Sequence, residues 1–459
     1  MVFSSILFLF RFMPIAFILY YLTPKKYKNF VLFVESLIFY SWGEVRYFPI
    51  MLFSVALDYT ASNLIEKNRD SRWKMKFFLL LSICGNLGML VFFKYTNFFA
   101  ENMNALFGTA IPMLKLTLPL GISFYTFQTM SYTIDVYRGK VAAQKNLVDF
   151  SAFVVLFSQL IAGPIVRYTD ISHELQNRTM DPAQIQSGIE TFILGLGRKV
   201  LLANSIGALW SQVEAMSFTA ISTPLAWLGI LAFSLQIYFD FSGYSLMAIG
   251  LGRMLGFEFP QNFNNPYISK SATEFWRRWH ITLGSWFREY LYIPLGGNRC
   301  SKSRQMWNLF VVWACTGFWH GASWNFVLWG LFFFVLLVLE KSFLLPHLER
   351  HPVLSRLYIL PLLLFSWALF AITDFTRLGQ FFTAMFTPQG GADWVYYLRN
   401  YAVVLLLGIL FSTTLPDKLF ARFQKQHVWV RYLCLGIVLV VSVAYLVDAT
   451  YNPFLYFRF

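Results

Sequence analysis

The sequence predicts an all-α polytopic membrane protein, and three observations carry that prediction. Of its 459 residues, 57% are hydrophobic and only 13% are charged, a balance outside the range of water-soluble domains. Apolar runs of about 20 residues, the length a helix needs to cross a hydrocarbon core of ~30 Å, recur from one end to the other. No long polar stretch separates them, so residues 1–459 are expected to form one membrane-embedded domain.

The first run, residues 6–22, is followed rather than preceded by positive charge, at Lys25, Lys26 and Lys28, and has no small-residue cleavage pattern. It reads as an anchor and not as a signal peptide. Those lysines favour the cytoplasmic side. Residues 30–42 then run outward, residues 49–64 return to a second basic link at 66–76, and residues 77–93 exit again. Beyond Asn97 the pattern loosens. The runs PLGISFYTFQTMSY (119–132) and QLIAGP (159–164) mix apolar length with Gly, Pro and hydroxyl groups. Broken or re-entrant helices of that kind persist at membrane depth only where protein or water surrounds them, so both runs are candidates for lining a cavity.

Residues 185–210 carry Arg198 and Lys199 mid-run and read as an interfacial or tilted helix. Residues 230–255 place Gln236, Asp240, Ser242 and Tyr244 in an apolar setting. An aspartate at that depth needs a partner, and spacing alone does not choose between a structural ion pair and a site residue. Three further spans, near 357–372, 401–415 and 432–447, lead to the aromatic tail TYNPFLYFRF.

The net charge of +14 sits in short links, where membrane topology and anionic lipid both account for it, and nothing points to nucleic acid. Four scattered cysteines with no CxxC suggest neither a disulfide framework nor a metal site. There is no GxSxG elbow, no Gly-rich nucleotide loop, no HExxH and no helix with several inward carboxylates. Phosphoryl transfer and intramembrane proteolysis thus lack their usual groups.

The stretch 264–330 holds the two histidines that packing explains least. Its first half reads as one amphipathic helix, opened by a Ser271/Glu274 capping box and closed by Pro294, Gly296 and Gly297. At 100° per residue, Phe275, Trp276, Trp279, Leu283, Trp286 and Phe287 share one side with His280, while Arg277, Arg278 and Arg288 share the other. Arg277 and Arg288 suit either lipid headgroups or a phosphate-bearing substrate lodged in a cavity. His280 is either a site residue or a core histidine with a satisfied partner.

The second half, 306–334, reads as a nearly continuous membrane helix with Trp313, Thr316, Gly317, Ser323 and Trp324 on the face of His320. Gly317 and Gly321 allow a neighbouring backbone to come close. Desolvation disfavours an imidazolium there, and a neutral ring beside hydroxyls suits deprotonation of an attacking alcohol. The alternative is a helix-to-helix hydrogen bond.

The runs LPLGISFYTFQ, QLIAGPIVR, YFDFSGYS, NPYISKSATEFWRRWHITLGSWFREYLYIPLGGNR and TGFWHGASWNFVLWGL resemble the bacterial membrane-bound O-acyltransferase (MBOAT) family, in its alginate O-acetyltransferase branch. The resemblance covers most of residues 119–330. It implies a helical bundle with re-entrant and interfacial helices around a central tunnel. It also implies that His320 of the FWHG motif is the essential catalytic residue and that His280 of the RRWH motif is the second signature position.

The same resemblance implies acetyl-CoA as cytoplasmic acyl donor, no metal, and a location in the bacterial inner membrane. The partner it implies is an extracytoplasmic SGNH-type O-acetyltransferase that serves a polysaccharide acceptor. The tail FLYFRF is similar to an aromatic C-terminal hexapeptide whose tyrosine, here Tyr456, has been proposed as an acyl carrier. A phenol with pKa near 10 attacks only if a base takes its proton, a role open to His320. The other reading of Tyr456 is an aromatic interfacial anchor. D-alanyl transfer to teichoic acid from a carrier protein, and a non-enzymatic lipid or polysaccharide transporter, are the alternatives to acetyl transfer.

Overall fold

The computed structural model describes residues 1–424, 428–448 and 455, and every regular element among them is helical. Tyr456 lies outside the described residues. Eight helices among those described are long and apolar enough to cross a membrane. This is the outcome expected where backbone groups must find their hydrogen bonds within one segment. The protein is therefore a multi-pass, all-α membrane protein.

The chain divides into two compact units. The first comprises residues 1–192 and 248–260. It contains α1 (Phe48–Lys67), α2 (Arg72–Phe107) and α3 (Ile122–Tyr137). The run 119–132, singled out for its mixed composition, enters α3, which is buried over almost its whole length. The run 159–164 is likewise buried. Two amino-terminal helices, Phe8–Leu22 and Lys28–Glu44, fall short of the length of the eight spans.

The second unit comprises residues 193–247 and 261–459. The helices α4 (Pro182–Gly197) and α5 (Thr223–Met254) carry residues of both units. The segment read as an interfacial or tilted helix, 185–210, lies in a continuous helix, Pro182–Glu214, that is long and apolar enough to be a span, which removes the interfacial alternative. Of its two mid-run cations, the buried one, Lys199, is neutralised. Lys199 Nζ lies 2.5 Å from Asp240 Oδ1 and donates to Asn204 Oδ1 at 3.0 Å. Asp240 is thus the ion-pair residue, not an isolated acid, which is the arrangement that makes a buried carboxylate tolerable. The two backbones come close because neither Gly195 nor Gly243 has a side chain: a Cβ on Gly243 would sit 2.7 Å from the Gly195 carbonyl oxygen.

The rest of this unit supplies α6 (Ala272–Arg278), α7 (Ile281–Phe287), α8 (Lys302–His320), α9 (Trp324–Leu339), α10 (Pro352–Ala371), α11 (Asp393–Phe411) and α12 (Val428–Asp448). Both halves of the central stretch are broken where periodicity read them as continuous. The first breaks at Trp279 and His280. His280 adopts φ +45°, in the left-handed region. The second breaks at Gly321, which is extended (φ −169°, ψ 158°), so α8 and α9 form a hairpin with FWHG at its turn.

Folding back is what brings Gly317 against Gly330. A Cβ on Gly330 would meet the Trp313 carbonyl oxygen and lie 3.0 Å from the Gly317 Cα. One straight helix cannot bring residues thirteen apart into contact, so the glycine pair requires the turn.

Candidate functional site

The site is built around the break at His280. A continuous helix would use the Thr282 N–H and the Arg278 carbonyl for one i→i−4 bond and the Ile281 N–H for the next. Here all three are taken by the extended segment that precedes α6. Asn264 N donates to Arg278 O at 2.9 Å, Ile281 N to Asn262 O at 2.9 Å, and Thr282 N to Asn262 Oδ1 at 3.3 Å. The substituted bonds offset a left-handed histidine that would otherwise cost about 1–3 kcal/mol. His280 is 1% exposed and lies 3.0 Å from Asn262 Oδ1 through its Nδ1. Phe241 meets it edge-on at 4.7 Å between ring centroids. It lies outside the eight candidate spans. Burial pushes its pKa down to about 3, so the ring is neutral.

The start of α6 is held from the other side. Ser271 Oγ accepts from Glu274 N at 3.0 Å, as the capping box predicts. The Glu274 carboxylate, however, takes the Lys270 N–H and the Arg278 guanidinium, both at 2.9 Å. The stronger anchor is Glu340, fully buried in the turn after α9. It accepts from Ala272 N at 2.6 Å, Thr273 N at 2.8 Å and Thr273 Oγ1 at 2.7 Å. A carboxylate there satisfies orphan N–H groups and faces the positive end of the helix.

Against this scaffold lies a cavity of about 370 Å³. His280 lines it, together with Arg277, Arg288 and Lys341; its lining includes no carboxylate. Leu309, Val312, Trp313 and Thr316 of α8 form the opposing wall, and Trp276 and Leu283 contribute apolar surface. Arg277 and Arg288, both exposed, form no ion pair among the described residues. Arg277 also lines a second cavity, of about 420 Å³, shared with Lys270 and Arg278. A concave, largely apolar slot with a few convergent cations suits an organic ligand carrying phosphate.

His320 sits one turn beyond Thr316, at the end of α8, and is 8% exposed. It is not in the lining of the 370 Å³ cavity. Its surroundings differ from those expected of a straight helix, because the turn brings the far half of the hairpin in. Rings that meet it nearly edge-on include Trp329 at 4.9 Å, Trp319 at 5.0 Å and Phe370 at 5.4 Å. Asn325 fixes that wall by donating to the Leu369 and Phe370 carbonyls at 3.1 and 3.3 Å. The Trp319 indole also lies 6.2 Å from His280, so one aromatic ring touches both imidazoles.

The structure thus brings together His280, Arg277 and Arg288 at one cavity and places His320 against a shared tryptophan. Sequence reasoning missed Asn262, Glu340 and Lys341. Glu340 was the most visible of these, an acid closing an otherwise apolar run. Asn262, inside QNFNNP, carries no signal until the turn it fills is seen.

A model of the membrane-bound O-acyltransferase family matches residues 141–373, just over half of the chain and the part that holds this site. The chain belongs to that family. The acyltransferase is 37% identical to a Pseudomonas putida protein named as a probable alginate O-acetylase, over 100% of both chains. It is 30% identical to a Helicobacter pylori peptidoglycan O-acetyltransferase, over 100% of this chain and 98% of that one. A Streptococcus thermophilus teichoic acid D-alanyltransferase is also 30% identical, over 49% of this chain and 57% of its own. Among the described residues no cluster of three or more metal-ligating side chains occurs.

Proposed function

We propose that the acyltransferase takes acetyl from acetyl-CoA at the cytoplasmic face of the bacterial inner membrane. It passes the group outward for O-acetylation of a cell-envelope polysaccharide, through a separate extracytoplasmic SGNH-type O-acetyltransferase. The observation that carries this reading is the cavity beside His280, with Arg277, Arg288 and Lys341 in its lining and no carboxylate. Phosphates of coenzyme A are the natural counterions of such a mouth, and the apolar slot suits a pantetheine arm.

In the transfer step a hydroxyl attacks the thioester carbonyl, its proton passes to a histidine, and the coenzyme A thiolate leaves and takes up a proton. His320 is the general base in this scheme and His280 assists by accepting a hydrogen bond in the cavity. Tyr456 serves as an acyl relay. The printed names of the relatives that span the whole chain, alginate and peptidoglycan O-acetylation, support an acetyl group and a polysaccharide acceptor. The D-alanyltransferase match spans about half of the chain, and transfer from a carrier protein is the second reading.

The test is donor-dependent transfer in proteoliposomes with labelled acetyl-CoA or a D-alanyl carrier protein. Acetyl-CoA alone is expected to support turnover, and His320→Ala to abolish it at normal expression. Full activity in His320→Ala would remove the mechanism, and turnover with only the carrier protein would remove the donor. Tyr456→Phe keeps the ring and loses the nucleophile. Wild-type product yield from that variant would leave the tail only an anchoring role.

A further inference from the structure

We infer that Asn262 is a positioning residue that fixes the tautomer of His280, so that the Nε2 lone pair is presented to the cavity. The inference deepens the acetyl-transfer reading, since it rests on His280 acting in that cavity. It begins with an atom assignment. The Thr282 backbone N–H, which can only donate, points at the side-chain atom of Asn262 that also lies 2.9 Å from Thr282 Oγ1. That atom is therefore the amide oxygen. The amide nitrogen is accounted for separately, donating to Ser245 Oγ at 3.1 Å. An oxygen 3.0 Å from His280 Nδ1 accepts, so Nδ1 carries the proton.

A neutral imidazole with its proton on Nδ1 has its lone pair on Nε2. Nε2 is buried and has no hydrogen-bond partner among the described residues. The ring that carries it lines the cavity beside Arg277 and Arg288. An acceptor left unpaired inside a protein is costly and therefore uncommon. It is the arrangement expected where a ligand hydroxyl or thiol supplies the missing donor. The aromatic neighbours Phe241, Phe263 and Trp319 contribute no competing charge.

Asn262 is placed to do this because its main chain is part of the same construction. Its carbonyl takes the Ile281 N–H, while Asn264 N donates to Arg278 O, so the backbone is clamped on both sides of His280. Asn262 is 1% exposed and is not in the lining of the 370 Å³ cavity. It acts through His280 and not on the substrate.

The experiment pairs two substitutions with two readouts in the full-length protein. Asn262→Leu removes the acceptor; Asn262→Asp keeps an oxygen for Nδ1–H and Thr282 but adds a negative charge. The first readout is the 15N spectrum of histidine-labelled protein in lipid, with the His280 signal identified by its loss in His280→Gln. Wild type is expected to show protonated Nδ1 and bare Nε2, and Asn262→Leu to move the proton to Nε2.

The second readout is acetyl transfer against pH. Asn262→Leu should lower kcat by about 10²-fold, the contribution of a correctly presented acid–base group, with little change in KM for acetyl-CoA. Asn262→Asp should keep kcat at alkaline pH and move the acid limb of the profile upward, because the carboxylate favours the imidazolium. Should Asn262→Leu fail to fold, Asn262→Asp still decides through its acid limb. A wild-type spectrum with the proton on Nε2, or an Asn262→Asp profile superimposable on wild type, overturns the assignment. Loss of acetyl transfer in wild type with the Nδ1–H signal intact would instead overturn the functional reading and leave the tautomer standing.

Discussion

If acetyl-CoA is the donor, as proposed, neutralising the cations of the cavity should separate recognition of coenzyme A from recognition of the acyl group. Arg277, Arg288 and Lys341 line a slot of about 370 Å³ whose lining carries no carboxylate. A hydrogen bond from a cation to phosphate is worth roughly 1.5–3 kcal/mol when well enclosed. All three side chains are exposed, so screening reduces each contribution to about 1 kcal/mol. At 1.4 kcal/mol per factor of ten, each single Gln substitution should raise KM for acetyl-CoA about 5-fold, and the triple variant on the order of 100-fold. The assay is acetyl transfer in proteoliposomes, run in parallel with acetyl-pantetheine, which has no phosphate. For that donor the variants should match wild type. Raising salt from 0.1 to 1 M shortens the screening length from ~10 to ~3 Å, so it should weaken acetyl-CoA use in wild type and leave the triple variant unmoved. An equal KM rise for both donors would show that the cations shape the protein and do not read the donor.

Three further perturbations follow from the packing. Glu340→Ala strips the acceptor from two N–H groups and one hydroxyl at the start of α6. It should lower stability by about 3 kcal/mol, read as an earlier thermal loss of the monodisperse peak in detergent, with Glu340→Gln intermediate. Gly330→Ala forces a Cβ against the Trp313 carbonyl and should cost about 1–3 kcal/mol by overpacking, whereas Gly330→Leu should prevent the α8–α9 hairpin from closing and reduce expression. The His280 imidazole, held down to about 3 by burial, binds no proton in the folded state between pH 6.5 and 3 while the unfolded chain does. Its contribution is complete above pH 6.5 and is lost as pH falls toward 3. His280→Gln should accordingly flatten the acid side of the stability profile measured by thermal shift.

Much of this architecture was legible because lipid imposes a simple rule: long apolar runs must be helices. The spans, the apolar side of the 264–294 stretch and the grouping of Arg277 with Arg288 all come from that rule and from helical periodicity. Periodicity failed where a third segment competes for the backbone. It cannot see that Asn262 and Asn264 offer the bonds that Arg278, Ile281 and Thr282 would have made to one another. It therefore ran one helix straight through His280. The same limit hid the turn at Gly321, whose extended backbone is dictated by the contact of Gly317 with Gly330, a relation visible only after the chain has folded back. Lys199 and Asp240 were each visible as misplaced charges, but their pairing depended on a glycine-lined approach of two helices.

Both signature histidines stand where a helix stops, and that shared feature explains why the site is shaped as it is. In the middle of a helix an imidazole is held by one element, and its position drifts with every bend of that element. At a break the backbone is fixed from two directions. His280 is clamped by the 262–264 segment and by α7, and His320 by the turn that Asn325 ties to the end of α10. The price of such a break is a set of backbone groups that must find new partners, and at His280 the 262–264 segment supplies them. The aromatic density around the pair follows from the same need. Trp319, Trp329 and Phe370 pack around His320, while Arg277, Arg288 and Lys341 line the cavity beside His280. A wet, unbroken helix could display the same two histidines. It could neither shield the His280 ring from water nor hold its lone pair in a fixed direction.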